Sequence, residues 1–201
     1  MSIGWAQGVA VNSVQFSPDG LQIVSAATDN SIRISDVSTG ALIRSFRGHD
    51  DYVVYVAWSP DGAKLASASY DGSVRIWDVD TGDVLHELRG HAGTLFYAAF
   101  SPDSQTLASA ATEGELLLWD VATGQRLKTL TAHEEVTASV KFSPDGRYLL
   151  SAGRGQLLRL WSADTATPVA VWTPPGQTFT TGVFSPDGQR IAGGGSSGTL
   201  H

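Results

Sequence analysis

Three histidines, His49, His91 and His133, recur 42 residues apart. Imidazoles at such a spacing suggest metal ligation, proton transfer or membership of a buried hydrogen-bond network. A metal site needs ligands that converge on one point, whereas one histidine per 42 residues assigns the three to separate structural units. A structural role is the stronger reading, so no metal and no cofactor are expected. Serine, histidine and aspartate together also raise hydrolase chemistry. No strand-to-helix context exists in which the nucleophile of a G-x-S-x-G elbow could sit.

Paired carboxylates are the remaining chemical possibility, as in glycoside hydrolysis or calcium-dependent hydrolysis. Most of the 20 acids fall into repeating series. Asp19, Asp61, Asp103, Asp145 and Asp187 lie in turns. Asp36, Asp78 and Asp120 form a second series, and Asp29, Asp71 and Glu113 a third. Of those left over, Asp50, Asp51, Glu134 and Glu135 directly follow histidines. Nothing marks two of these as a catalytic pair, and no enzymatic activity is expected.

The spacing is a property of the whole chain. Ser-Pro-Asp starts at Ser17, Ser59, Ser101, Ser143 and Ser185, always after an aromatic residue: Phe16, Trp58, Phe100, Phe142 and Phe184. Asp36-Val37, Asp78-Val79 and Asp120-Val121 lead into Thr-Gly with the same step. Ile23, Leu65, Leu107, Leu149 and Ile191 make an apolar series. Several landmarks sharing one period without slippage indicate a repeat architecture.

Within a period the pattern is β. Val54, Val56 and Trp58 alternate with other residues, as a half-buried strand requires. Ser59-Pro60-Asp61-Gly62 suits a type I turn and Asp71-Gly72 a tight hairpin. Leu65 to Ser69, Ser73 to Trp77 and Asp83 to Leu88 supply three further strands. Four short antiparallel strands in about 40 residues form a propeller blade. The fold class expected is therefore all-β, with blades near 11–46, 53–88, 95–130 and 137–172 and a partial one at 180–201. This is a single propeller segment whose ring is incomplete, read as a fragment of a larger protein or as a chain that self-associates to cover its open ends.

Trp77-Asp78 and Trp119-Asp120, with Gly48-His49 and Gly90-His91, give the pattern a name: the chain resembles the WD-repeat β-propeller family over almost its whole length. The resemblance implies a non-catalytic scaffold for protein–protein interaction. It also implies a buried network in which His49, Ser67, Asp71 and Trp77 join. The corresponding sets are His91, Ser109, Glu113 and Trp119, and His133, Ser151 and Trp161, with Gly155 where the third acid would stand. The first unit keeps Ser25 and Asp29 but has Gln7 and Ser35 for the histidine and tryptophan. The fifth has Pro175, Gly193 and Ser197, and nothing of the network. Order is expected to be highest in the second blade.

By the same resemblance, the histidine loops and acid-bearing turns share the face that meets partners. Residues read onto it are Asp50, Asp51, Tyr52, Tyr70, Thr94, Phe96, Thr112, Glu134, Glu135 and Arg154, with Val54, Val136 and Ala138 at matching positions. Aromatics beside acids suit a basic peptide or protein surface. The alternatives are an enzyme or small-ligand binder working at the central channel, and a regulatory module of a catalytic domain.

Composition agrees with a folded, water-soluble domain: 42% hydrophobic and 16% charged residues, with no cysteine and hence no disulfide. A net charge of -7 opposes nucleic-acid binding. No apolar run is long enough for a membrane span, and the first residues do not read as a signal peptide. A cytoplasmic location is the expectation.

Overall fold

The computed structural model describes residues 8–153, 157–173 and 178–195. The described residues form 18 strands. The first sheet holds β1 (Val11–Phe16), β2 (Gln22–Ala27), β3 (Ser31–Asp36) and β4 (Leu42–Arg47). The second holds β5 (Val53–Trp58), β6 (Lys64–Ser69), β7 (Val74–Asp78) and β8 (Val84–Leu88). The third holds β9 (Leu95–Phe100), β10 (Thr106–Ala111), β11 (Glu115–Asp120) and β12 (Arg126–Thr131). The fourth holds β13 (Thr137–Phe142), β14 (Tyr148–Gly153), β15 (Leu157–Ser162) and β16 (Pro168–Trp172). A pair, β17 (Phe179–Phe184) and β18 (Ile191–Gly195), follows. Every neighbouring pair is antiparallel and consecutive in sequence. No helix occurs among the described residues, and the result is an all-β propeller arc whose ring is not closed.

Each Ser-Pro-Asp segment builds its turn from its own side chains. Ser59 donates its hydroxyl to Asp61 Oδ1 at 2.5 Å and accepts from the Lys64 amide, while Asp61 accepts from the Ala63 amide. The same set recurs at Ser17, Ser101, Ser143 and Ser185. Aspartate serves here because its short carboxylate reaches a backbone N–H two residues on. These carboxyls sit below the usual aspartate range, Ser17 and the Leu21 amide holding Asp19 there.

The sheets stack by burying one face of each against the next. Val24, Ile32, Ile34 and Phe46 of the first pack on Val53, Val56, Leu65 and Trp77 of the second. Ala66, Val74 and Ile76 of the second pack on Leu95, Leu107 and Trp119 of the third. The third meets Val140, Leu149 and Trp161 of the fourth, which in turn covers Phe179. Alanines and serines fill the β2-type strands because facing sheets approach closely there. Polar ties reinforce the stack: Arg44 donates to the carbonyls of Asp80 and Thr81, and His86 Nε2 lies 3.0 Å from the Ala122 carbonyl. His86 is thus accounted for by a blade-to-blade contact.

The first sheet shows what such a face looks like uncovered. Val14 and Phe16 are 65% and 60% exposed, whereas their counterparts Val56 and Trp58 are at 0% and 7%.

Candidate functional site

Chain direction sorts the loops onto two faces. The inner strands β5, β9 and β13 each run from a histidine loop to a Ser-Pro-Asp turn, and the second strand of each sheet runs back. The histidine loops and the turns after β2, β6 and β10 therefore share one face. The Ser-Pro-Asp and Thr-Gly turns share the other.

In the second blade four side chains form a continuous relay beneath the first face. Trp77 Nε1–H donates to Ser67 Oγ at 2.8 Å, and Ser67 Oγ lies 2.7 Å from His49 Nε2. His49 Nδ1 lies 2.7 Å from Asp71 Oδ2. Asp71 also accepts from the amides of Asp50 and Ser73 and from the Ser73 hydroxyl. A carboxylate on Nδ1 fixes the proton there, leaving Nε2 to accept from the serine. Burial pushes the Asp71 carboxyl up, but the hydrogen bonds from Ser73 and His49 outweigh it and bring it to about 2. Burial lowers His49 despite the opposing pull of Asp71.

The other blades carry shortened versions. His91 Nε2 and Trp119 Nε1 meet Ser109 Oγ at 2.6 and 2.8 Å, but His91 Nδ1 is buried without a partner. Glu113 does not complete that network. Its side chain lies over Gly93, and Thr112 donates to it at 3.3 Å. The extra methylene carries the carboxyl past the imidazole. His133 Nε2 and Trp161 Nε1 both lie 3.0 Å from Ser151 Oγ, again with Nδ1 unpartnered. Gly155, with Arg154, falls outside the described residues, as do Gln7, Pro175 and Ser197. In the first blade Ser25 bonds the Arg33 carbonyl, and Asp29 pairs with Arg33 and Ser31.

These networks fix the loops that carry the face above them. Tyr52 and Tyr70 are about half exposed and lie with ring centroids 6.3 Å apart. Tyr70 meets Phe96 of the next blade edge-on at 6.5 Å. The Tyr70 amide donates to the Tyr52 carbonyl, and the Thr112 amide to the Thr94 carbonyl, so each blade holds its pair of positions rigidly. Asp50 and Asp51 stand exposed beside Tyr52, and Glu134 and Glu135 are exposed on the fourth blade. Arg89 crosses the edge of this face, donating to the Asp71 carbonyl and to Glu87. Ser73 was not singled out from sequence, although its place two residues beyond the network acid could have identified it.

The inner strands hold a second set that sequence reasoning missed. Tyr55 and Tyr97 stack with centroids 3.9 Å apart, and Lys141 Nζ sits 4.8 Å from the Tyr97 centroid. The clue was available: these tyrosines are 42 residues apart at channel-facing positions. Among the described residues no three His, Asp or Glu side chains gather as a metal site would require, and no helix is long and apolar enough to cross a membrane.

A family model, the WD domain, G-beta repeat, matches residues 4–36, 40–78, 82–120 and 124–162. Each match from the second onward begins just before the last strand of one sheet and ends at the third strand of the next, so the sequence repeat is offset from the sheet. Matches covering most of the chain, together with the sheets described, establish its kinship: the chain belongs to the WD domain, G-beta repeat family.

Proposed function

We propose that this chain is a non-catalytic platform that captures an extended, basic segment of a partner protein on its histidine-loop face. Members of the family generally act as scaffolds for other proteins. The observation that carries the reading is the unbroken run Tyr52, Tyr70 and Phe96 across two blades, with Asp50 and Asp51 at its edge. Tyrosines combine apolar area with a polar tip and lose little rotamer freedom, which is why they are enriched at binding hot spots. Acids at the rim add attraction for lysine and arginine and speed encounter more than they tighten the complex. The chain's negative charge acts in the same direction. A cytoplasmic scaffold is the setting this reading favours.

The test is titration with extended lysine- and arginine-rich peptides against sequence-matched acidic ones. Basic peptides should bind and weaken as salt rises. Replacing Tyr52, Tyr70 and Phe96 together by alanine should abolish binding without moving the thermal transition. Binding unchanged in that variant would end the proposal.

The bare face of the first blade favours self-association as a second reading. Val14, Phe16 and Leu21 are each at least 60% exposed, where the second and third blades bury the counterparts of Val14 and Phe16 (Val56 and Trp58, Ala98 and Phe100) on a neighbour. Sedimentation should show concentration-dependent oligomers that Val14→Glu with Phe16→Lys dissolves. A monomer at all concentrations would exclude it.

A further inference from the structure

The opposite mouth of the arc is chemically unlike the rest of the molecule. Inner strands and Ser-Pro-Asp turns line an open concavity of about 550 Å³, reaching from Gln15 to Val183. Its walls are mostly apolar, including Trp58, Phe100 and Phe142, and no Asp or Glu lines it. In a chain with 20 acids and 13 lysines and arginines, that is a local reversal of charge. Lys141 supplies the cation, and no carboxylate lies within ion-pairing distance of it among the described residues. It is held over the Tyr97 ring, and Tyr55, stacked on Tyr97, brings a second hydroxyl to the same spot. Burial raises the Tyr55 phenol, with Tyr97 adding to the effect, so it remains a donor. Trp58 adds a buried indole N–H with no hydrogen-bond partner.

We propose that this concavity binds a small molecule with an apolar body and a single carboxylate, which Lys141 and the Tyr55 hydroxyl receive. The size is that of a small-ligand pocket rather than of a protein interface. One ammonium balances one negative charge. A dianion such as phosphate would need more cationic partners than this wall offers, in the field of a negatively charged chain. Aromatic and proline walls suit a ring or short alkyl body. The site lies at the other mouth from Tyr52 and Tyr70, so it stands or falls apart from the peptide-binding reading.

The experiment titrates phenylpropionate, phenylpropanol and phenylpropylamine into the full chain, following intrinsic fluorescence and heat. A peptide with one glutamate among apolar residues forms a separate arm. Phenylpropionate should saturate and bind at least about ten-fold tighter than the alcohol, with the amine weakest. Lys141→Gln should remove that preference while leaving the alcohol unaffected, and Tyr55→Phe, which keeps the ring stack, should weaken the acid several-fold. Lys64→Gln should change nothing. Equal binding of acid and alcohol, preference for the peptide, absence of saturation, or an unaltered preference in a folded Lys141→Gln variant would each overturn the proposal.

Discussion

His49 Nδ1 lies 2.7 Å from Asp71 Oδ2, whereas the equivalent nitrogen of His91, one blade on, is buried with no partner. The two imidazoles otherwise make the same serine contact, at 2.7 and 2.6 Å. One acid, one methylene shorter, thus separates a closed relay from an open one. Removing Asp71 strands the His49 N–H, the Asp50 amide and the Ser73 hydroxyl together. Asp71→Ala should therefore cost about 2–4 kcal/mol, and Glu113→Ala no more than about 0.5 kcal/mol, by urea unfolding. Similar losses in both would show that the relay contributes nothing special.

The same comparison predicts a gain. Glu113→Asp should bring a carboxylate to His91 Nδ1 and satisfy a buried polar atom. Stability should rise by about 0.5–1.5 kcal/mol. NMR titration should show the His91 pKa moving up. A variant no more stable than the parent, with His91 unmoved, would mean that the backbone around Gly93 keeps the acid away.

Acid should find the incomplete blades first. Burial, aided by Arg126 and Arg159, lowers His91 and His133 from 6.5 to about 4. A depressed histidine is neutral when folded and takes up its proton on unfolding. The stabilisation is therefore whole above about pH 6.5 and is lost as pH falls toward 4. For His133, 2% exposed, that shift corresponds to at most about 3 kcal/mol. The Asp71 contribution persists further and fades only as pH falls from 3.8 toward 2. Unfolding followed against pH should show a loss between 6.5 and 4 that His133→Gln reduces. A flat profile there would refute it.

The architecture was legible because it is repeated: five Ser-Pro-Asp turns and a fixed period leave little freedom. The site was legible only in part. The reach of Glu113 depends on one methylene and on where the Gly93 backbone passes, which no spacing encodes. Tyr52, Tyr70 and Phe96 could be assigned to one face, but the edge-on contact of Tyr70 with Phe96 across two blades needed the angle between sheets. Tyr55, Tyr97 and Lys141 were overlooked because attention to the period favours residues that recur in every unit: the tyrosine recurs in two blades only, and Ala57 and Ala99 stand at the positions matching Lys141.

Hydrogen exchange should rank the blades. The second is packed on both sides and has the closed relay, while β17 and β18 pack on the fourth blade alone among the described residues. Amides of β6 and β7 should exchange at the global unfolding limit and those of β17 and β18 orders of magnitude faster. Equal protection would mean that the arc unfolds as one unit.

Two glycines at matching positions separate backbone strain from crowding. Gly72 and Gly114 have φ of +81° and +74°, so a side chain is strained at either. A Cβ on Gly72 would meet nothing within 4 Å, whereas one on Gly114 would fall 2.0 Å from the His133 carbonyl oxygen. That carbonyl belongs to the loop of the next blade, whose His133 amide donates back to the Gly114 carbonyl. Gly72→Ala should cost about 1 kcal/mol, the left-handed penalty alone. Gly114→Ala must also push the His133 loop outward, lengthening the 3.0 Å contact to Ser151, and should cost about 3 kcal/mol or more. Urea unfolding gives the two costs, and His133 chemical shifts report the displaced loop. Equal costs, with the His133 shifts unchanged in Gly114→Ala, would show that the loops of adjacent blades are not mechanically coupled there.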